Sequence, residues 1–130
     1  MTMTTRTRVP TAAPWASTVG YSRAVRVGNH IYVSGTAPVD EAGRIPDLGD
    51  PYRQARRCLE IIAAALREAG AGPEHVVRTR MYVADASFWP EVGRAHGEFF
   101  GDVAPATTLI QVSGFIDPAI LVEIEADAVV

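Results

Sequence analysis

Lysine is missing from this chain, because all twelve of its basic residues are arginine. Without an ε-amino group the chain forms no Schiff base through its own side chains, holds no pyridoxal phosphate covalently and has no lysine for a Walker-type phosphate loop. Cysteine is almost missing too. Cys58 stands alone, so no internal disulfide and no cysteine pair for a metal are available. Beside Leu59 in a predicted helix, it reads as a small buried thiol rather than a nucleophile. There is no basic surplus: the net charge is −3 and the pI about 5.5, whereas a phosphate-binding surface shows as a basic stripe. No apolar run approaches the ~20 residues of a membrane span. The first twenty residues contain Thr, Pro and Arg but no apolar central block of a secretory signal. The expectation is a cytoplasmic protein with neither nucleic acid nor membrane as partner, and with no cofactor. His30, His75 and His96 include no i, i+4 pair on one helical face, so no metal site is expected.

At 130 residues, 48% of them apolar, the chain is long enough for one domain with its own core. Residues 1–19 read as a tail, tied down near Trp15, and residues 20–130 as the single domain. "SRAVRVG" alternates Ala24 and Arg26 against Val25 and Val27. Gly28-Asn29 is a hairpin signal, and "HIYVSG" follows as a second strand. Asp50 then Pro51 is an N-cap followed by a residue suited to the first helical position. The spacing of Ala55, Leu59, Ile62, Ala63 and Leu66 predicts a helix from Pro51 to about Ala69. "HVVRTRMYVAD" predicts a third strand with Val77, Thr79, Met81 and Val83 on one side. A second helix is predicted from near Ser87 to Gly101, burying Phe88, Val92, Ala95 and Phe99. The stretch at Thr107 and "ILVEIEADAVV" complete the order strand, strand, helix, strand, helix, strand, strand. Two helices are too few for both faces of such a sheet, so they are expected on one face. The other face, partly apolar, is expected against further copies of the chain.

Three places carry chemistry. The last strand puts Glu123, Glu125 and Asp127 on one side, ~7 Å between successive carboxylates at about 3.4 Å per residue. They suit a solvated strand surface or, for one of them, general acid–base work at a subunit junction; spacing alone does not say which. "VSGTAP" ends a strand in Ser34-Gly35, where a missing Cβ lets backbone approach a ligand. Ser34 has no nucleophile elbow around it, so a structural or backbone-donor role is expected. His96 lies on the second helix as a candidate cleft residue.

Taken in order, "GYSRAVRVGNHIYVSGTAP", "EAGAGPEHVVRTRMYVAD", "EFFGDVAPAT" and "VEIEADAV" resemble the Rid (YjgF/UK114) family of enamine/imine deaminases over roughly residues 20–130. The resemblance implies a chorismate-mutase-like α+β fold, assembled as a homotrimer with clefts between subunits. It also implies hydrolysis of reactive imines and enamines such as 2-aminoacrylate to a 2-keto acid and ammonia. Carried onto this chain, the cleft includes Tyr21, the backbone around Ser34 and Gly35, and Glu123 as the residue that places or activates water. The family's Pro-Ala-Arg-Ser motif reads Pro105-Ala106-Thr107-Thr108 here, so Thr107 stands where a guanidinium would clamp the substrate carboxylate. Gly93 and His96 replace the usual Asn and Tyr, and Arg23 replaces a commoner Gln. The implied protein is an atypical imine/enamine hydrolase. A small-molecule-binding trimer without turnover, or a specialised tautomerase, cyclase or lyase, are the alternatives.

Overall fold

The computed structural model describes residues 5–130. Its sheet has six strands: β1 (Arg6–Val9), β2 (Ala24–Val27), β3 (His30–Thr36), β4 (Val76–Val83), β5 (Ala106–Gln111) and β6 (Val122–Val129). Their order across the sheet is β1-β2-β3-β6-β4-β5. Strand β6 is antiparallel to both β3 and β4, and β5 runs parallel to β4. A short helix α1 (Ala16–Val19) precedes the two long helices, α2 (Pro51–Glu68) and α3 (Trp89–Phe100). The segment expected as a tail is thus partly sheet: Arg6–Val9 pairs with Ala24–Val27, because an otherwise open β2 edge offers it a full set of backbone partners.

The helices form where the spacing places them. Asp50 caps α2 by accepting from the backbone N–H of Arg53 at 3.0 Å, and Gly70 ends it with φ 85°. Arg26, on the inward side of β2, donates to the Ala69 carbonyl at 2.7 Å, so a cation sits at the negative end of α2. Between the helices and the sheet lie Ile31, Leu59, Ile62, Leu66, Val83 and Ile124, each fully buried. Cys58 is buried among them; burial raises its thiol pKa, as an unreactive core cysteine requires. Gln54 is the polar member of this interior. Its amide donates to the Ala119 carbonyl at 3.1 Å and accepts from the Leu121 N–H at 2.8 Å, which ties α2 to the start of β6.

Two expectations about facing change. A register shift between Val76 and Arg78 in the β4–β6 ladder turns Val76 inward and leaves Val77 48% exposed. Helix α3 buries Val92, Ala95, His96 and Phe100, with Phe88 and Phe99 only packed against the core. The apolar stripe is therefore rotated, because the ring of His96 fills space at the sheet that an apolar residue was expected to fill. Both long helices do pack on one face. The opposite face is more charged than expected: Arg80 pairs with Glu125 and Asp127, each at 3.4 Å, and the Tyr82 hydroxyl donates to Glu125 at 2.7 Å. No described helix is long and apolar enough to cross a membrane.

Candidate functional site

The site begins with an irregularity in β3. Val33 lies opposite Ala126 and Thr36 opposite Ile124, so Ser34 and Gly35 together occupy the space of one residue. Such a bulge turns side chains away from the regular alternation. Gly35 leaves room here for a carboxylate: a Cβ on it would displace Oε1 of Glu123, the far end of a flexible side chain. The missing Cβ is the seat of a carboxylate rather than of a free ligand. Ser34 holds the bend in place. Its hydroxyl donates to the Ser22 carbonyl at 2.7 Å and its N–H to the Arg23 carbonyl at 2.9 Å. Both donors are engaged, so the backbone-donor role expected at Ser34 has no free N–H behind it.

Around this bend lies a cleft of about 660 Å³, whose lining includes Tyr21, Arg23, Ser34, Gly35 and Glu123. Its far wall comes from the N-terminal segment and from the flank of α2, at Trp15, Ile61 and Ala64 among others. Trp15 donates its indole N–H to the Tyr21 hydroxyl at 2.8 Å, so the N-terminal segment is anchored at the cleft. The phenol keeps its own proton free to donate.

Electrostatics single out Glu123. Burial pushes its carboxyl pKa up, Arg23 pulls it down, and Glu125 adds to the upward shift. A carboxyl raised in this way exchanges protons closer to neutrality than an exposed one. Arg23 is the residue that sequence reasoning left unplaced. It is 9% exposed and donates to the Thr36 hydroxyl at 3.3 Å and to the Gly35 carbonyl at 3.2 Å. Its guanidinium carbon lies 5.6 Å from the centre of the Tyr21 ring. Arg23 thus clasps the bulge that seats Glu123. Strand alternation carries no signal for this, since it is the bulge in β3 that turns the Gly35 carbonyl toward the guanidinium.

Thr107 and His96 lie elsewhere. Thr107 pairs with Thr79 in the β4–β5 ladder, and Tyr82, three residues on, pairs with Glu123 in the β4–β6 ladder. Thr107 and Glu123 consequently occupy opposite faces of the sheet. On the helix side, Thr79 Oγ1 lies 2.7 Å from Thr107 Oγ1 and 2.8 Å from His96 Nε2. The expected site residues form two groups in one chain: Tyr21, Ser34, Gly35 and Glu123 at the bulge, and Thr107 with His96 at the other end of the sheet.

The matching family model, described as endoribonuclease L-PSP, covers residues 11–130. An uncharacterized protein of Streptomyces coelicolor is 40% identical over 121 residues, 93% of this chain and 90% of that protein. The 3-aminoacrylate deaminase RutC of Acinetobacter baylyi is 33% identical over 108 residues, 83% of this chain and 85% of that one. A crystal structure from Mycobacterium tuberculosis, described as a member of the YjgF/YER057c/UK114 family, superimposes with a TM-score of 0.88 at 44% identity. It covers 97% of this chain and 100% of its own. With that fold, that coverage and that identity, the chain belongs to the YjgF/YER057c/UK114 (Rid) family.

Proposed function

We propose that this protein hydrolyses a reactive small-molecule imine or enamine, with Glu123 as its acid–base group. The observation that carries the reading is the seating of the Glu123 carboxyl on Gly35 beside a cleft, where burial raises its pKa. The name of the RutC relative supports the same reaction class. In the reaction, the substrate enters as the protonated imine, and the Glu123 carboxylate takes a proton from water as the water oxygen bonds to the imine carbon and the C=N electron pair moves to nitrogen. The carboxyl then returns its proton to the nitrogen of the carbinolamine. The C–N bond breaks as the regenerated Glu123 carboxylate takes the hydroxyl proton, giving the carbonyl product and ammonia, which leaves with that proton as ammonium. Tyr21 supplies a phenol donor near the reacting group, and Arg23 holds the bulge and keeps part of Glu123 ionised.

The reading includes a homotrimer with clefts between copies. Its support is that Thr107 and Glu123 face opposite ways in one chain, so both reach one substrate only if neighbouring copies supply them. Tyr32, 52% exposed, and Ile110, 47% exposed, also stand on the uncovered sheet face. A ribonucleolytic activity finds less support: the cleft lining has Arg23 as its one arginine against Asp40, Glu41, Glu68 and Glu123, a poor match to a polyphosphate backbone. Carboxylates there suit a protonated imine instead. Binding without turnover is the second reading, favoured by the neutral hydroxyl of Thr107 in place of a carboxylate clamp.

The test generates 2-aminoacrylate, 2-iminopropionate and a carboxylate-free imine in situ and follows their decay with and without the protein. Faster decay of at least one is expected. If all three decay at the uncatalysed rate at high protein concentration, the hydrolase reading is wrong. Ligand-dependent thermal shifts without consumption would then favour binding alone.

A further inference from the structure

The hydrogen-bonded group at the β5 end of the sheet has three members at increasing depth. Thr107 is exposed, Thr79 is fully buried, and His96 is 9% exposed under α3. The two contacts, 2.7 Å and 2.8 Å, are as short as good hydroxyl hydrogen bonds are. The ring of His96 is held further by Phe100, whose centroid lies 4.6 Å away. Each hydroxyl has one proton, so the group can run in only two senses. When an outside oxygen accepts from Thr107, the sense is fixed: His96 Nε2–H donates to Thr79, Thr79 donates to Thr107, and Thr107 donates outward. None of these steps needs a charge.

We propose that His96, Thr79 and Thr107 form a neutral relay that presents one polarised hydroxyl donor to substrate, so that the chain selects an imine whose polar end is an uncharged oxygen, such as an amide, ester or ketone, over a carboxylate. This rests on the hydrolase reading for the identity of the substrate, though the relay itself is independent of turnover. Thr107 is the contacting residue; Thr79 and His96 are positioning residues that act through it. Charge is kept away from the relay on every side. Arg78 and Arg80 lie on the other face of β4, where Arg80 pairs with both Glu125 and Asp127, and Glu98 of α3 turns to Tyr52 and Arg56 of α2. Burial alone lowers the imidazole pKa, with no neighbouring charge contributing, which keeps His96 neutral near pH 7. Within its own chain, a carboxylate at Thr107 would therefore meet one hydroxyl and no cation.

The experiment titrates pyruvamide and pyruvate, which share a shape and differ in one charge, into the full-length protein. Imidazole ¹⁵N resonances report the state of His96. Pyruvamide is expected to bind tighter than pyruvate and to hold the proton on Nε2. Thr107→Val and Thr79→Val are each expected to weaken pyruvamide binding by about fivefold to tenfold, the worth of one neutral hydrogen bond. Thr107→Ser and Thr79→Ser should restore it, which separates the relay from a packing defect. Thr107→Arg should reverse the preference toward pyruvate. Equal or tighter binding of pyruvate, no binding of either probe, or full pyruvamide affinity in Thr79→Val would each overturn the relay. Failure of imine decay with intact pyruvamide selectivity would instead sink the hydrolase reading and leave the relay standing.

Discussion

On the proposed mechanism, Glu123 sits where function and stability oppose each other. Its folded-state pKa is raised, so between the ordinary carboxylate range and that raised value the folded protein binds more protons than the unfolded chain. Stability therefore falls as pH climbs through that window, and at neutral pH the buried charge is carried as a cost. Glu123→Gln keeps the shape and removes both the charge and the base. We expect imine hydrolysis to drop by about 10²- to 10⁴-fold, the usual worth of a positioned acid–base group. The same variant should melt at a higher temperature than the parent at pH 7. That advantage should vanish below about pH 4, where the carboxyl is protonated in both states. Thermal melts across pH decide it, and an unchanged or lower melting temperature at pH 7 would show that Glu123 is not strained by burial.

At the scale of elements, the position of Glu123 depends on a contact that hydropathy does not reveal. Gln54 lies inside α2, fully buried, and serves the Ala119 carbonyl and the Leu121 N–H just ahead of β6. Leu in its place would fit an apolar interior yet leave two backbone groups unsatisfied, at about 1–3 kcal/mol for each buried group. Gln54→Leu is expected to destabilise the fold by about 2–4 kcal/mol in urea unfolding, against the direction that hydrophobicity alone predicts. Helix α3 follows the same logic. Its stripe was legible in spacing, but its rotation was not, because Thr79 attracts a histidine that pattern alone classes as polar and outward.

For the molecule as a whole, one face of the sheet is covered by α2 and α3, while the other carries Arg80, Tyr82, Glu125 and Asp127 in mutual contact. A face of paired charges with exposed Tyr32 and Ile110 suits a specific, polar junction between copies more than a greasy one. On the trimer reading, sedimentation equilibrium should give three times the 14.0 kDa of one chain. Imine hydrolysis should fall on dilution as trimer dissociates. A stable monomer that retains full activity would remove the inter-copy cleft.

The order of elements, the Asp50 cap, the alternation of carboxylates along β6 and the family likeness were all readable in the chain, because each depends on local periodicity or on short motifs. The strand at residues 6–9 was not, since it is held by a free edge rather than by its own pattern. Nor was Arg23, which clasps the bulge that seats Glu123, nor the meeting of Thr79 with Thr107 and His96 across 28 and 17 positions of sequence. Local preference follows from a residue and its near neighbours. Which charge is buried beside which, and which face a hydroxyl finds, depends on register between strands distant in the chain, and only the folded sheet decides that.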